Sequence, residues 1–197
     1  MAGSTIQPMA LTVGERPIRP LTADEVMRMV ATGILDEDER LELLHGVLTA
    51  VGPHSDTHAG LVQRLTRWLS PLVVAGAHDL RVRMPLAVPD ETSLPEPDVA
   101  IVERRDSLAG HPGTAFLVVE IAVSSLRTDM TVKPPLYAAA GVPEYWVVDA
   151  EHRRLELFAD PRGGDYTRRE TREPSGTLTP LVLDVEPLDL AAFFAGV

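Results

Sequence analysis

The sequence has no cysteine among its 197 residues. That excludes disulfides, thiolate metal sites and a cysteine nucleophile. No apolar run approaches the roughly 18 residues that a membrane-spanning helix needs, so no transmembrane segment is expected. The opening MAGSTIQPMALTVGERP has no basic stretch leading into an apolar core, so no secretory signal is expected either. These absences together fit a cytoplasmic location. Positive charge is also scarce: 18 Lys and Arg stand against 29 Asp and Glu, a net charge of -11. Proteins that grip nucleic acid without regard to sequence are usually basic, because phosphate contacts supply most of their affinity. The balance argues only weakly against such a partner, since a local patch can oppose the global charge. Arg64/Arg67, Arg81/Arg83, Arg104/Arg105, Arg153/Arg154 and Arg168/Arg169 are such spots, and solvated faces are the better explanation of them. GxSxG, the P-loop and GxGxxG are all missing. The hydrolase-elbow, NTPase and dinucleotide readings therefore have no support.

What is present is an ordinary globular composition, 45% hydrophobic and 24% charged, long enough for one domain with a real core. Residues 1–20 carry Gly, Ser, Thr and three prolines without periodicity and read as a flexible arm, leaving 21–197 as a single domain. Thr22 with Glu25 forms a capping box for a short helix whose apolar side is Val26, Met29 and Val30. RLELLHGVLTAV reads as two short strands around a turn at His45-Gly46. Leu61, Val62, Leu65, Trp68, Leu69 and Leu72 recur at helical spacing behind a cap at Ser55 or Asp56. Strands are expected at RVRMPLAV (81–88, near an edge because of Pro85), PDVAIV (97–102), AFLVVEIAV (115–123) and EYWVVDA. A helix covers 135–140 and stops at Gly141. RRLELFA and DYTRRETRE form a hairpin with a longer loop at PRGG, LVLDV a last strand, and LDLAAFFAGV a closing helix. The mixture implies an α/β protein with helices against a sheet. The apolar LAAFFAGV and the mixed sheet edge suggest a surface that wants covering, and with them a homodimer.

Glu120 stands alone among Leu117, Val118, Val119, Ile121, Ala122 and Val123. An ionised carboxylate in an apolar strand is costly unless it is paired or binds a cation. Asp98 opens the preceding strand, so neighbouring strands would bring both carboxylates to one end of the sheet. Two adjacent carboxylates repel, and a cation between them relieves that. Mg²⁺ takes few carboxylates and keeps waters, leaving positions for a phosphate oxygen. Lys133 could add positive charge beside a developing oxyanion or orient the attacking water. The competing reading is that Asp98 caps a loop and Glu120 pairs with an arginine. Glu42, flanked by leucines, is either a third carboxylate of that site or an outward residue of a half-buried strand. His54 and His58 have a metal-ligand spacing, but His54 precedes the helix cap, so the two would not share a face. His58, in the first helical turn, is the one that could matter. Ser124-Ser125 reads as a strand-to-helix turn.

In order, RLELLHGVL, PHSDTH before a helix, PEPDVAIV, LVVEIAVSS, D-x-x-x-K-x-x-x-Y (Asp129, Lys133, Tyr137) and AGVPEYWVVDA resemble the Uma2 family, also known as DUF820, of the PD-(D/E)xK nuclease superfamily. The resemblance runs from about 40 to 160. It implies a restriction-endonuclease-like α/β fold, a mixed sheet flanked by helices. It also implies a metal-dependent phosphodiesterase acting on nucleic acid, with DNA the expected substrate and Mg²⁺ or Mn²⁺ the cofactor. In that reading Asp98 and Glu120 match the motif carboxylates and bind the metal, helped by the backbone carbonyl of Ile121. Glu42 matches the glutamate of the first motif, and Lys133 the lysine supplied by the following helix. The chain departs from the pattern at His45-Gly46-Val47, where the family reads D-G-E, and at Val123-Ser124-Ser125-Leu126, where it reads S-P-S-T. Pro134-Pro135 would place Lys133 at the helix entrance. The alternative is a nuclease-fold binding or accessory module.

Overall fold

The computed structural model describes residues 12–13, 15–36, 38–53, 55–106, 108 and 110–197. Most of the expected arm, and His54, lie outside the described residues. The chain divides into two compact units, one formed by the chain up to Val51 with Asp90–Leu94, the other by Gly52–Pro89 with Pro95–Val197.

In the first unit, β1 (Thr12–Val13) and β2 (Arg16–Pro17) pair antiparallel over two residues. Helix α1 (Ala23–Ala31) begins with the capping box expected at Thr22 and Glu25: the Thr22 hydroxyl accepts from the Glu25 amide, and the Glu25 carboxylate accepts from the Thr22 amide. Strands β3 (Leu41–Leu44) and β4 (Val47–Ala50) form the hairpin read at His45-Gly46. Both turn residues have positive φ, 48° and 79°, which a two-residue turn that follows the strand twist requires. A side chain at Gly46 would sit 2.1 Å from Pro20 Cβ. Val26, Leu43 and Leu94 form this unit's small core.

The second unit is built on a six-stranded sheet. Helix α2 (Asp56–Val74) starts at the Ser55 cap and continues through Pro71. Then come β5 (His78–Val82), β6 (Val99–Glu103), β7 (Leu117–Ala122), α3 (Leu126–Thr131), α4 (Lys133–Ala139), β8 (Glu144–Asp149), β9 (Arg154–Arg162) and β10 (Asp165–Arg172). The spatial order is β10-β9-β8-β7-β6-β5. All neighbours run antiparallel except β7 and β8, which run parallel and are joined through α3 and α4. The remaining elements are β11 (Thr177–Leu178), paired with β12 (Leu188–Asp189), and α5 (Leu190–Phe193).

Strand alternation sorts the core into two faces. Val99, Ile101, Leu117, Val119, Ile121, Trp146 and Val148 pack against α2 and α5 residues. Ala100, Val102, Val118, Ala122, Tyr145 and Val147 pack with Tyr137 of α4. Phe193 and Phe194 belong to the first cluster. The apolar C-terminal segment is thus covered by its own chain, which removes it as a reason to expect a homodimer.

Three sequence expectations are corrected, and one element is added. The strand over 81–88 ends at Val82, because Arg83 has φ 52° and Pro85 lacks a ladder donor; its place at a sheet edge holds. The β9–β10 hairpin has a two-residue turn, Gly163-Gly164, with both φ positive, not a longer loop. LVLDV is not a strand; flanking prolines at 180 and 187 interrupt pairing, and the Leu181 amide donates to the buried Glu144 carboxylate at 2.7 Å. The six residues of α3 were not anticipated as a helix, since so short a segment shows no periodicity.

Candidate active site

Asp98 immediately precedes β6, and its neighbour Val99 pairs with Val119. Glu120 follows Val119 on β7 and lies on the face that packs against α4. The two carboxylate residues therefore meet at one end of the ladder, and the Asp98 amide points at Glu120 Oε2 across 3.4 Å. Both side chains are buried.

Each carboxylate has protein donors. Asp98 Oδ2 accepts from the Ile121 amide at 2.8 Å. Asp98 Oδ1 lies 2.9 Å from His58 Nε2. His58 is buried in the first turn of α2, where its amide donates to the capping Ser55 hydroxyl. Glu120 Oε1 accepts from Lys133 Nζ at 3.0 Å and from the Tyr137 hydroxyl at 2.8 Å.

Lys133 is the first residue of α4, buried, with Pro134 and Pro135 behind it in the first turn. Proline fits there, because first-turn amides have no helical acceptor to serve. The prolines that set Lys133 at the helix entrance thus leave its ammonium on Glu120. One helical turn upstream, Asp129 is buried with Oδ1 3.3 Å from Lys133 Nζ and Oδ2 accepting from the Ser125 hydroxyl. Burial pushes the Asp129 carboxyl above the ordinary aspartate value; Lys133 and Ser125 pull it down, and the Asp98 charge raises it further. Lys133 and Tyr137, four apart, share one face of α4, and Asp129 precedes Lys133 by four residues on α3.

Of the residues singled out in the sequence, Asp98, Glu120, Lys133 and Ile121 are brought together, with Ile121 engaging Asp98 through its amide. Glu42 belongs to the first unit, on β3, buried rather than outward, paired across the hairpin with Thr49, whose hydroxyl donates to the Glu42 carbonyl at 3.0 Å. Ser124-Ser125 forms the turn between β7 and α3. Sequence reasoning assigned no role to Asp129 or Tyr137, although D-x-x-x-K-x-x-x-Y spacing already aligned them with Lys133. It noted His58 without seeing Asp98 as its partner, since nothing in the chain between them links a helix start to a strand start.

Among the described residues no three His, Cys, Asp or Glu side chains converge as a ready metal cage. Mg²⁺ sites commonly rest on one or two carboxylates with waters completing the shell. Two buried carboxylates side by side, with hard oxygen donors and a third carboxyl group nearby, fit such an ion.

A mixed sheet with helices on both faces, and paired carboxylates beside a helix-borne lysine at one end, defines a restriction-endonuclease-like α/β protein. The fold matches a crystal structure described as a "putative nuclease belonging to DUF820" from Anabaena variabilis, with TM-score 0.70 and 15% identity over 89% of this chain and 98% of that one. The family model Uma2, described as "Putative restriction endonuclease", matches residues 23–191. The chain belongs to the Uma2 family. A weaker likeness, to the type IIG restriction endonuclease BpuSI, has TM-score 0.38 and 12% identity over 55% of this chain and 12% of that one, and carries no argument. No curated protein matches.

Proposed function

We propose that the protein hydrolyses phosphodiester bonds in nucleic acid, with DNA the favoured substrate, using Mg²⁺ or Mn²⁺ held by Asp98 and Glu120. The observation that carries the reading is the buried Asp98–Glu120 pair with the Lys133 ammonium 3.0 Å from Glu120. Such a pair is costly to maintain without a use for its charge. The bound ion would polarise the scissile phosphate and lower the pKa of water. The chain's own groups do the rest. Asp98 is fixed by the Ile121 amide and His58, and Glu120 by Tyr137. Lys133 supplies positive charge for a developing oxyanion or orients the attacking water.

A nuclease-fold accessory module is the second reading, and one observation favours it. Asp98 and Glu120 already have protein donors on their oxygens, so a cation must displace or share them.

The test is a cleavage panel of single- and double-stranded DNA and RNA with Mg²⁺ or Mn²⁺, beside Glu120→Ala. Metal-dependent cleavage by the parent and none by the variant is the expected result. No cleavage of any substrate by the parent favours the accessory module.

A further inference from the structure

Lys133 is held between two buried carboxylates, Glu120 Oε1 at 3.0 Å and Asp129 Oδ1 at 3.3 Å. Glu120 is the one the proposed function assigns to the cation. An ammonium and a dication would then compete for the same oxygen, and a lysine whose sole anchor was Glu120 would have to swing away or block the ion.

Asp129 is built to prevent both. Its Oδ2 is fixed by the Ser125 hydroxyl. Its backbone carbonyl accepts from the Tyr145 hydroxyl at 2.8 Å, and its amide donates to Ser125 O at 3.0 Å. Oδ1 is buried, lies within ion-pair reach of Lys133, and makes no well-aligned hydrogen bond. That oxygen has capacity to take Lys133 fully. Lys133 has little freedom to go elsewhere, because its own backbone is locked at the head of α4 by Pro134 and Pro135.

We infer that Asp129 is a positioning residue: it is the second anchor of Lys133, receiving the ammonium when Glu120 turns to a divalent cation and keeping it charged and beside the scissile phosphate. The inference rests on the metal reading above. It makes the lysine a two-position element, with its ammonium shared toward Glu120 in the metal-free protein and toward Asp129 in the loaded one.

The test is a double-mutant cycle on Mn²⁺ affinity, measured by calorimetry without nucleic acid. Asp129→Asn keeps the shape and the Ser125 contact but removes the charge that receives Lys133. It should weaken Mn²⁺ binding by about tenfold, within the range of coupling between touching residues. In a Lys133→Met background the same substitution should change affinity by less than about twofold, because no ammonium is left to relocate. A simple loss of negative charge near the ion would weaken binding equally in both backgrounds, and that result overturns the inference. Ser125→Ala, a substitution at an exposed residue that releases the Oδ2 anchor of Asp129 and keeps its charge, provides the same comparison if Asp129→Asn fails to fold. Its effect should be smaller and likewise vanish with Lys133→Met. Absence of Mn²⁺ binding by the parent overturns the metal reading itself, and this inference with it.

Discussion

Glu120→Gln separates the carboxylate's part in the ion pair from its part in holding a cation. Glutamine keeps one carbonyl oxygen for Lys133 or Tyr137 and loses the charge. Removing one partner from a buried pair costs about 3–5 kcal/mol when the other is left alone. Here Lys133 keeps Asp129 at 3.3 Å, and repulsion with Asp98 is relieved, so the expected loss is about 1–3 kcal/mol. At about 2–4 °C per kcal/mol for a chain of this size, Tm in EDTA should fall by about 2–12 °C. Cation binding acts oppositely in the parent. At a hundredfold excess over Kd it adds about 2.7 kcal/mol, which raises Tm by about 5–11 °C. The variant should gain less than about 1 °C at the same Mn²⁺ concentration. Scanning calorimetry in EDTA and in Mn²⁺ reads both effects. A variant that keeps the parent's Mn²⁺ shift refutes Glu120 as a ligand, and one with the parent's Tm in EDTA refutes the ion pair.

Two further outcomes follow from other parts of the molecule. Burial pushes the Glu144 carboxyl above its ordinary 4.5, against the Leu181 amide and Trp146 indole that pull it down. The folded state then holds the proton more tightly than the unfolded one, so this group's contribution is present in acid and is lost as pH rises from that value through the folded one. Glu144→Gln cannot titrate, and its denaturant stability between about pH 4 and 7 should fall less steeply than the parent's; equal slopes refute this. Gly46→Ala meets both a positive φ of 79° and Pro20 Cβ at 2.1 Å, whereas Gly33→Ala has φ 71° and open space. Backbone strain alone costs about 1–2 kcal/mol, so by urea unfolding Gly46→Ala should lose at least about 1 kcal/mol more than Gly33→Ala. Equal losses would show that the Pro20 contact yields freely.

Local chemistry made much of the fold legible. A capping box at Thr22, a left-handed pair at His45-Gly46 and a leucine stripe behind Ser55 each act through neighbours in sequence, and each is found. What depends on distant partners was harder to read. EYWVVDA was recognisable as a strand, but nothing in it announced that Glu144 would bond Trp146 and the Leu181 amide. LVLDV has strand composition but pairs with no strand among the described residues. At the site, an isolated glutamate in an apolar run flagged Glu120, and Lys133 was read as nearby positive charge and as the lysine of the family pattern. The His58–Asp98 contact joins the starts of two elements forty residues apart, which only the sheet's assembly brings together.

The parallel step from β7 to β8 has a consequence for how the site assembles in time. Glu120, Asp129, Lys133 and Tyr137 all lie on the short stretch that makes this step, so closing it requires only a small loop and little lost chain entropy. Four of the six clustered side chains can therefore come together early, as one local event. Asp98 arrives separately, through the β6–β7 ladder, and strand pairing has a period of two. A slip of one residue would send Asp98 to the opposite face of the sheet while the lysine, its two carboxylates and the tyrosine stayed in place. The meeting of the two principal carboxylates is thus decided by a single strand alignment, and a chain misaligned there would be folded, compact and without its carboxylate pair.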